Sequence, residues 1–378
     1  LTAHELAHQW WGDMVTCATW SDIWLNEGFA TYSEALWLEF KSGVSDPYAL
    51  RAAMSLRRPY RLDGAVYVHD PSSVSRIFSS NYSYRKGAWV LHMLRGVVGD
   101  EVFFATLKAN RDRYQYLTAT TEDFREVAED VWGGDLRWFF DQWVFGGGAP
   151  AYRYGWVEHE LDGQRYLEVS VAQTQDESAF EMPMTIETIE LGERHRYTVW
   201  NDERNEHFLI PVSAPVDAVD LDPDVRILAR SERVGAFTDG PPRIVEVELI
   251  RGEHRHLGAS RTIEVTFHED VIADRSHFVL RRADGSELDL EVSYEPGTHT
   301  ATLVSKEALG YGLFELTIDD GVVDVAAGLA LDGEIDATHG RAQLPTGDGV
   351  AGGDAVFEFD ITASRRPTRR AAPTTTAR

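Results

Sequence analysis

Apolar positions along the chain follow two periods, and the change falls near residue 150. Up to Val144 they recur at helical spacing. Ile23, Phe29, Ala30, Leu36, Leu38 and Phe40 predict a helix from Ile23 to about Lys41, with Gly43 as its stop signal. A loop is expected at Asp46-Pro47, and the aperiodic run from Arg57-Arg58-Pro59 to Pro71 predicts irregular chain, a candidate cleft wall. From Asn81 to Leu94 an amphipathic helix is expected, with Ala88, Leu91, Leu94 and Val98 on one stripe. Further helical stretches start at Glu101, at Thr121 as N-cap, and at Asp135. In the last of these Trp138, Phe139, Trp143 and Phe145 read as core rather than substrate pocket. Gly146-Gly-Gly-Ala-Pro150 closes the helical region, 1–148.

From Ala151 the pattern alternates. Runs at 152–156, 165–171, 184–189, 196–200 and 207–210 predict strands, parted by turn chemistry at Leu161-Asp-Gly and Asn201-Asp. They suggest a small β-sandwich over 151–232. Pro241-Pro242 marks a second boundary. Alternation then resumes at 244–247, 262–267, 277–280, 288–292, 300–304 and 314–318, with a hairpin-type turn at Ala283-Asp-Gly285. This predicts a second all-β sandwich over 242–362. The Arg-, Pro- and Thr-rich end, 363–378, reads as a disordered tail, a linker or attachment segment.

Composition narrows the choices. A chain of 378 residues has room for two or three domains, and 43% hydrophobic content fits globular rather than disordered protein. With 36 basic and 62 acidic residues the net charge is −26, which disfavours a nucleic-acid partner. Cys17 is the one cysteine, so no intrachain disulfide forms; this fits the cytosol and also secreted bacterial proteins that avoid cysteine. No apolar run is long enough to make a transmembrane segment. The chain opens at Leu1 without Met, and we expect a fragment whose upstream part is missing.

The chemistry concentrates in the first 34 residues. His4 and His8, four apart, share one face of a helix and can reach one metal ion, with Glu5 on the flank. H-E-x-x-H on a helix is the zinc-peptidase signature, with Glu5 as general base. Glu27 follows His8 after eighteen residues, inside Trp24-Leu-Asn-Glu27-Gly-Phe-Ala, and can complete a His-His-Glu set. Glu34, seven residues further on the same helix face, is a candidate to orient an imidazole, or else a solvated carboxylate.

These elements together resemble the gluzincin metallo-aminopeptidases that include aminopeptidase N and leukotriene-A hydrolase. The resemblance implies the C-terminal, helical part of a zincin catalytic domain, followed by a short β domain, with one Zn2+ on His4, His8 and Glu27. Tyr84-Arg-Lys-Gly-Ala88 matches the family's Tyr-x-Lys-Gly-Ala context, so the oxyanion-steadying role falls on Tyr84; Tyr82 is the rival at the wrong spacing. The implied activity is removal of N-terminal residues from peptides with a free N-terminus. The family's Gly-x-Met-Glu-Asn amine-binding strand would lie upstream of Leu1, so an isolated fragment can be inactive. Residues 242–362 resemble bacterial Ig-like modules, which implies an extracellular, periplasmic or cell-surface location, with the cytoplasm left open. Acidic loops at Asp319-Asp-Gly321, Asp332-Gly-Glu334 and Asp354 read as ordinary turns, with Ca2+ as the alternative, since none has the twelve-residue loop spacing. Two other functions stay open: a thermolysin-like endopeptidase, and a surface-binding Ig-like protein with a vestigial peptidase region. Oligomeric state is not read from the sequence.

Overall fold

The computed structural model describes residues 2–42, 47–161, 163–250, 261–335 and 344–361. A helical segment precedes several β-sheets, a mixed multidomain architecture. The chain divides into two compact units. The first comprises Leu1–Glu158, Leu167–Glu206 and Pro211–Phe237, and the second His159–Tyr166, His207–Ile210 and Thr238–Arg378.

The first unit is organised around α2 (Trp24–Ser42), which buries Trp24, Leu25, Phe29, Ala30, Tyr32 and Ala35. Ahead of it stand α1 (Thr2–Ala7) and β1 (Val15–Cys17). After it come α3 (Pro47–Leu56), α4 (Val74–Ile77), a π-helical turn Ser80–Lys86, and α5 (Gly87–Val98). Then follow α6 (Asp100–Tyr114), β2 (Leu117–Ala119), α7 (Thr121–Trp132), α8 (Arg137–Phe140) and a second π-helical turn, Asp141–Phe145. The start of α2 is tied to the start of α7 through buried Asp22. Its Oδ1 accepts from the Thr121 N–H at 2.9 Å and the Thr121 hydroxyl at 2.8 Å. Trp24 Nε1–H donates to the same hydroxyl at 3.0 Å, and the Trp24, Phe29 and Phe124 rings pack together.

Several expectations are corrected here. Pro47 opens a helix instead of sitting in a loop, because its locked φ and missing N–H suit the first helical turn; Gly43 and Asp46 lie outside the described residues. Helix α5 is buried on all sides from Gly87 to Arg95, so its single apolar stripe understates its burial. Thr120, not Thr121, is the N-cap of α7: Thr120 is extended, its hydroxyl accepts from Asp123 N–H, and the Asp123 carboxylate accepts from Thr120 N–H. The helical region also contains a short parallel strand pair, β1 with β2. Phe139 and Trp143 are fully buried, in keeping with a core role, while Trp138 and Phe145 are partly exposed.

The strands that follow are β3 (Ala151–Leu161), β4 (Gln164–Gln173), β5 (Met182–Glu190), β6 (Glu193–Asn201), β7 (Asn205–Val212), β8 (Val216–Leu221) and β9 (Ser231–Val234). They form one sheet in the order β7-β4-β3-β9 and another in the order β6-β5-β8. Gln142 exchanges two hydrogen bonds with Glu181 just before β5, and Trp143 Nε1–H points at Met182 Sδ at 3.3 Å. The helices therefore rest on that sheet.

In the second unit β10 (Ile244–Ile250), β11 (Thr262–Phe267), β15 (Thr300–Ser305) and β14 (Leu290–Glu295) make an antiparallel sheet, in that order. A second is built from β13 (Phe278–Arg282), β16 (Gly312–Ile318) and β18 (Ala355–Ile361), and β12 (Val271–Ile272) pairs with β17 (Val323–Asp324). Inward residues of both sheets, among them Val265, Phe267, Leu303, Phe278, Leu316 and Phe357, share one core. In the acidic loops Asp319 Oδ1 accepts from Gly321 N–H, and Asp354 Oδ1 accepts from Asp320 N–H. Asp332 is buried on the Arg243 guanidinium and on the Asp348 and Gly349 N–H groups.

Candidate active site

Helix α1 carries His4 and Glu5. The turn continues one residue past the helix to His8, whose N–H donates to the His4 carbonyl at 3.3 Å. The two imidazoles meet edge to face, their centroids 4.8 Å apart. From α2, Glu27 faces both: its Oε2 lies 3.4 Å from His4 Nε2 and 3.4 Å from His8 Nε2. One ligand atom from each of the three residues fits within 4.8 Å of the others, so this group could hold a metal ion.

The far side of each ring is also engaged. His8 Nδ1 lies 2.9 Å from the Trp11 carbonyl, which can only accept, so Nδ1 is the donor of that bond and Nε2 is the nitrogen turned toward Glu27. His4 Nδ1 lies 3.7 Å from Glu34 Oε1. Burial alone would raise the Glu34 carboxyl, but the hydrogen bonds and charge of Arg57 outweigh it and hold the group below its ordinary value.

Tyr84 reaches the site from the π-helical turn, a widened helical form often found at functional sites. Its ring stacks on His4 with centroids 5.9 Å apart and planes 6° from parallel. Burial first, then the negative charges of Glu27 and Glu5, push its hydroxyl up to about 12, so it remains a hydrogen-bond donor at neutral pH. Tyr82 is elsewhere, donating to Asp63 at 2.7 Å. Glu5 is exposed. A cleft of ≈ 460 Å³ opens above these groups, lined by His4, Glu5, His8, Glu27, Tyr84 and Arg57 among others.

The structure thus brings His4, Glu5, His8, Glu27, Glu34 and Tyr84 into one site. Residues 1–143 match the model of the Peptidase family M1 domain. That match spans 143 of the chain's 378 residues, the helical segment that carries the site. Over 159 residues the chain is 35% identical to Aminopeptidase N of Lactococcus lactis subsp. lactis, covering 40% of this chain and 19% of that protein. Aminopeptidase M1-D of Oryza sativa subsp. japonica is 34% identical over 171 residues, 42% of this chain and 19% of the relative. Probable aminopeptidase 1 of Sulfurisphaera tokodaii is 29% identical over 196 residues, 49% and 24%. The chain therefore spans about a fifth to a quarter of the length of these relatives. The solved structure of Legionella pneumophila aminopeptidase A superposes with a TM-score of 0.49 at 19% identity, over 60% of this chain and 26% of that one.

Three features of the M1 segment escape a reading of motifs. Lys86, inside the Tyr-x-Lys-Gly-Ala context, is fully buried and donates to the carbonyls of Gly64 at 2.9 Å and Gly146 at 3.1 Å. Burial, and to a lesser degree the charge of Arg76, pushes it down to about 8. Asn81 holds the irregular wall, accepting from the N–H groups of Tyr60 and Arg61 and donating to the Arg61 carbonyl. Arg57, at the start of that wall, grips Glu34. The one signal that Lys86 offers in the sequence is its place in the Tyr-x-Lys-Gly-Ala context.

Proposed function

We propose that the protein is a zinc-dependent metallo-aminopeptidase that removes N-terminal residues from peptides. One observation carries the reading: the Nε2 atoms of His4 and His8 converge on a single oxygen of Glu27 at 3.4 Å each. Two imidazoles and one carboxylate are the donor set of a catalytic zinc site with one open position. The donors fit, because His8 is held through Nδ1 on the Trp11 carbonyl with Nε2 turned toward Glu27.

Zinc held by His4, His8 and Glu27 would supply Lewis-acid polarisation and acidify a water. The remaining work belongs to the chain's own side chains. Glu5, exposed at the cleft, takes the proton of the attacking water and passes it to the leaving amine. The Tyr84 hydroxyl, kept protonated, donates to the oxygen on which negative charge develops. The exopeptidase half of the reading is supported by the relatives, each named an aminopeptidase.

The same reading keeps a helical catalytic part at 1–148, a small β-sandwich at 151–232 and an Ig-like module at 242–362. Two antiparallel sheets over one core support the last, and with it an extracellular, periplasmic or cell-surface location. Among the described residues no helix is long and apolar enough to cross a membrane. The test is substrate choice. Aminoacyl-p-nitroanilides should be cleaved and N-blocked peptides left intact; efficient cleavage of blocked peptides would replace the proposal with an endopeptidase.

A further inference from the structure

The two candidate histidine ligands are oriented by different means. His8 leans on the Trp11 carbonyl, a backbone group three residues away that the local turn holds in place. His4 faces Glu34, a side chain with three torsions of its own. A carboxylate that must aim one oxygen at an imidazole needs a holder, or ordering it costs conformational entropy each time.

Arg57 supplies that hold. It follows the last residue of α3, and its Nε and Nη2 both donate to Glu34 Oε2, at 3.2 and 2.7 Å. Its Nη1 donates to the Ala53 carbonyl at 2.9 Å, so all three guanidinium nitrogens are committed and the group is pinned to the last turn of α3. The other carboxylate oxygen, Oε1, is left 3.7 Å from His4 Nδ1, while His4 Nε2 faces Glu27 on the opposite side of the ring. Contacts therefore run without a break from α3 through Arg57, Glu34 and His4 to Glu27. The Arg57 and Glu34 side chains are only 18% and 21% exposed, unlike the freely solvated pairs whose worth is small. A lysine could bring the charge but not the rigid fork.

We infer that Arg57 is a positioning residue for the metal centre, fixing Glu34 so that His4 is held in its ligating orientation. The inference rests on the zinc reading above. Outer partners of metal ligands typically change affinity by about 10–100-fold when removed.

The experiment is a zinc competition titration against a chromophoric chelator, made on the 378-residue chain. Arg57→Ala and Glu34→Gln should each weaken zinc binding by about 10–100-fold, and the double variant should bind no more weakly than either alone, because one relay is cut in both. Arg57→Lys should recover part of the loss. The unfolding midpoint of the zinc-free proteins reports folding separately. Should Arg57→Ala fail to fold, Arg57→Lys still decides, since it must bind zinc more weakly than wild type. Wild-type affinity in the folded Arg57 variants, or losses that multiply in the double variant, would overturn the inference. A wild-type chain that binds no zinc would instead overturn the proposed function, so the two failures are distinct.

Discussion

Gly28 and Gly87 touch backbone to backbone where α2 crosses α5. A Cβ placed on Gly28 would lie 2.9 Å from the Gly87 carbonyl carbon, and one placed on Gly87 would lie 3.1 Å from the Gly28 Cα. Gly28 directly follows Glu27, and Gly87 is three residues after Tyr84. The closeness of the two helices is thus what sets the Tyr84 ring beside Glu27 and His4.

Adding a methyl group at that crossing must therefore push the helices apart. Gly28→Ala or Gly87→Ala should destabilise the protein by about 1–3 kcal/mol, the usual cost of overpacking. Turnover should fall by more than the lost folded fraction explains. Urea unfolding midpoints, read beside kcat on an aminoacyl-p-nitroanilide, check both. Unchanged stability would mean the crossing has slack that the geometry does not show.

Glu5 and Tyr84 should separate binding from chemistry. Glu5→Gln should keep metal binding and lose turnover, because the amide cannot accept the water proton. Tyr84→Phe keeps the ring that stacks on His4 and removes the donor, so kcat should drop by about 100–1,000-fold with little change in KM. Steady-state kinetics on metal-loaded protein test both; a Tyr84→Phe enzyme with wild-type kcat would remove the hydroxyl from the mechanism.

Lys86 gives a pH signature of stability. Its folded-state value is pushed down to about 8, from an ordinary 10.5, by burial first. Between those two values the unfolded chain holds the proton that the native state has shed, so this group's contribution to stability rises with pH through that window and is flat below about 8. The full change is on the order of 3 kcal/mol. Replacing Lys86 with Met removes the titration but leaves the Gly64 and Gly146 carbonyls without this donor. Chemical denaturation from pH 7 to 10 should show wild type gaining on Lys86→Met as pH rises; parallel curves would contradict the assignment.

Asp22 should matter to the site through the frame. It accepts from both Thr121 groups and also from the Thr19 hydroxyl, at 2.7 Å, while buried at the foot of α2. Asp22→Ala leaves the Thr121 N–H without its acceptor, and a buried unpaired group costs about 1–3 kcal/mol. A lowered melting temperature with unaltered substrate preference is the expected result.

The proposed ligand set is legible in the sequence because its information is local or nearly so. His4, Glu5 and His8 declare a shared helix face by spacing alone, and Glu27 and Tyr84 sit in short motifs that survive without any knowledge of packing. What the sequence hides is whatever depends on contact between distant elements. Gly28 and Gly87 read as weak points in two helices until their mutual approach is seen. Arg57 lies where apolar periodicity ends, and nothing in the pattern links it to a carboxylate 23 positions earlier. Likewise β1 and β2 are too short to alternate visibly and exist through pairing across a hundred residues. The strand β18 follows a glycine-rich stretch and was hidden by it, although Ala355, Phe357 and Ile361 point inward as alternation requires.

The most direct test of the proposed zinc centre is metal content. Elemental analysis of purified protein, after dialysis against zinc and then against metal-free buffer, should find one zinc per chain. Glu27→Ala should lose it, because the oxygen on which both Nε2 atoms converge is gone. A wild-type chain without zinc, or a Glu27→Ala chain that holds zinc as firmly as wild type, would contradict the assignment of His4, His8 and Glu27 as its ligands.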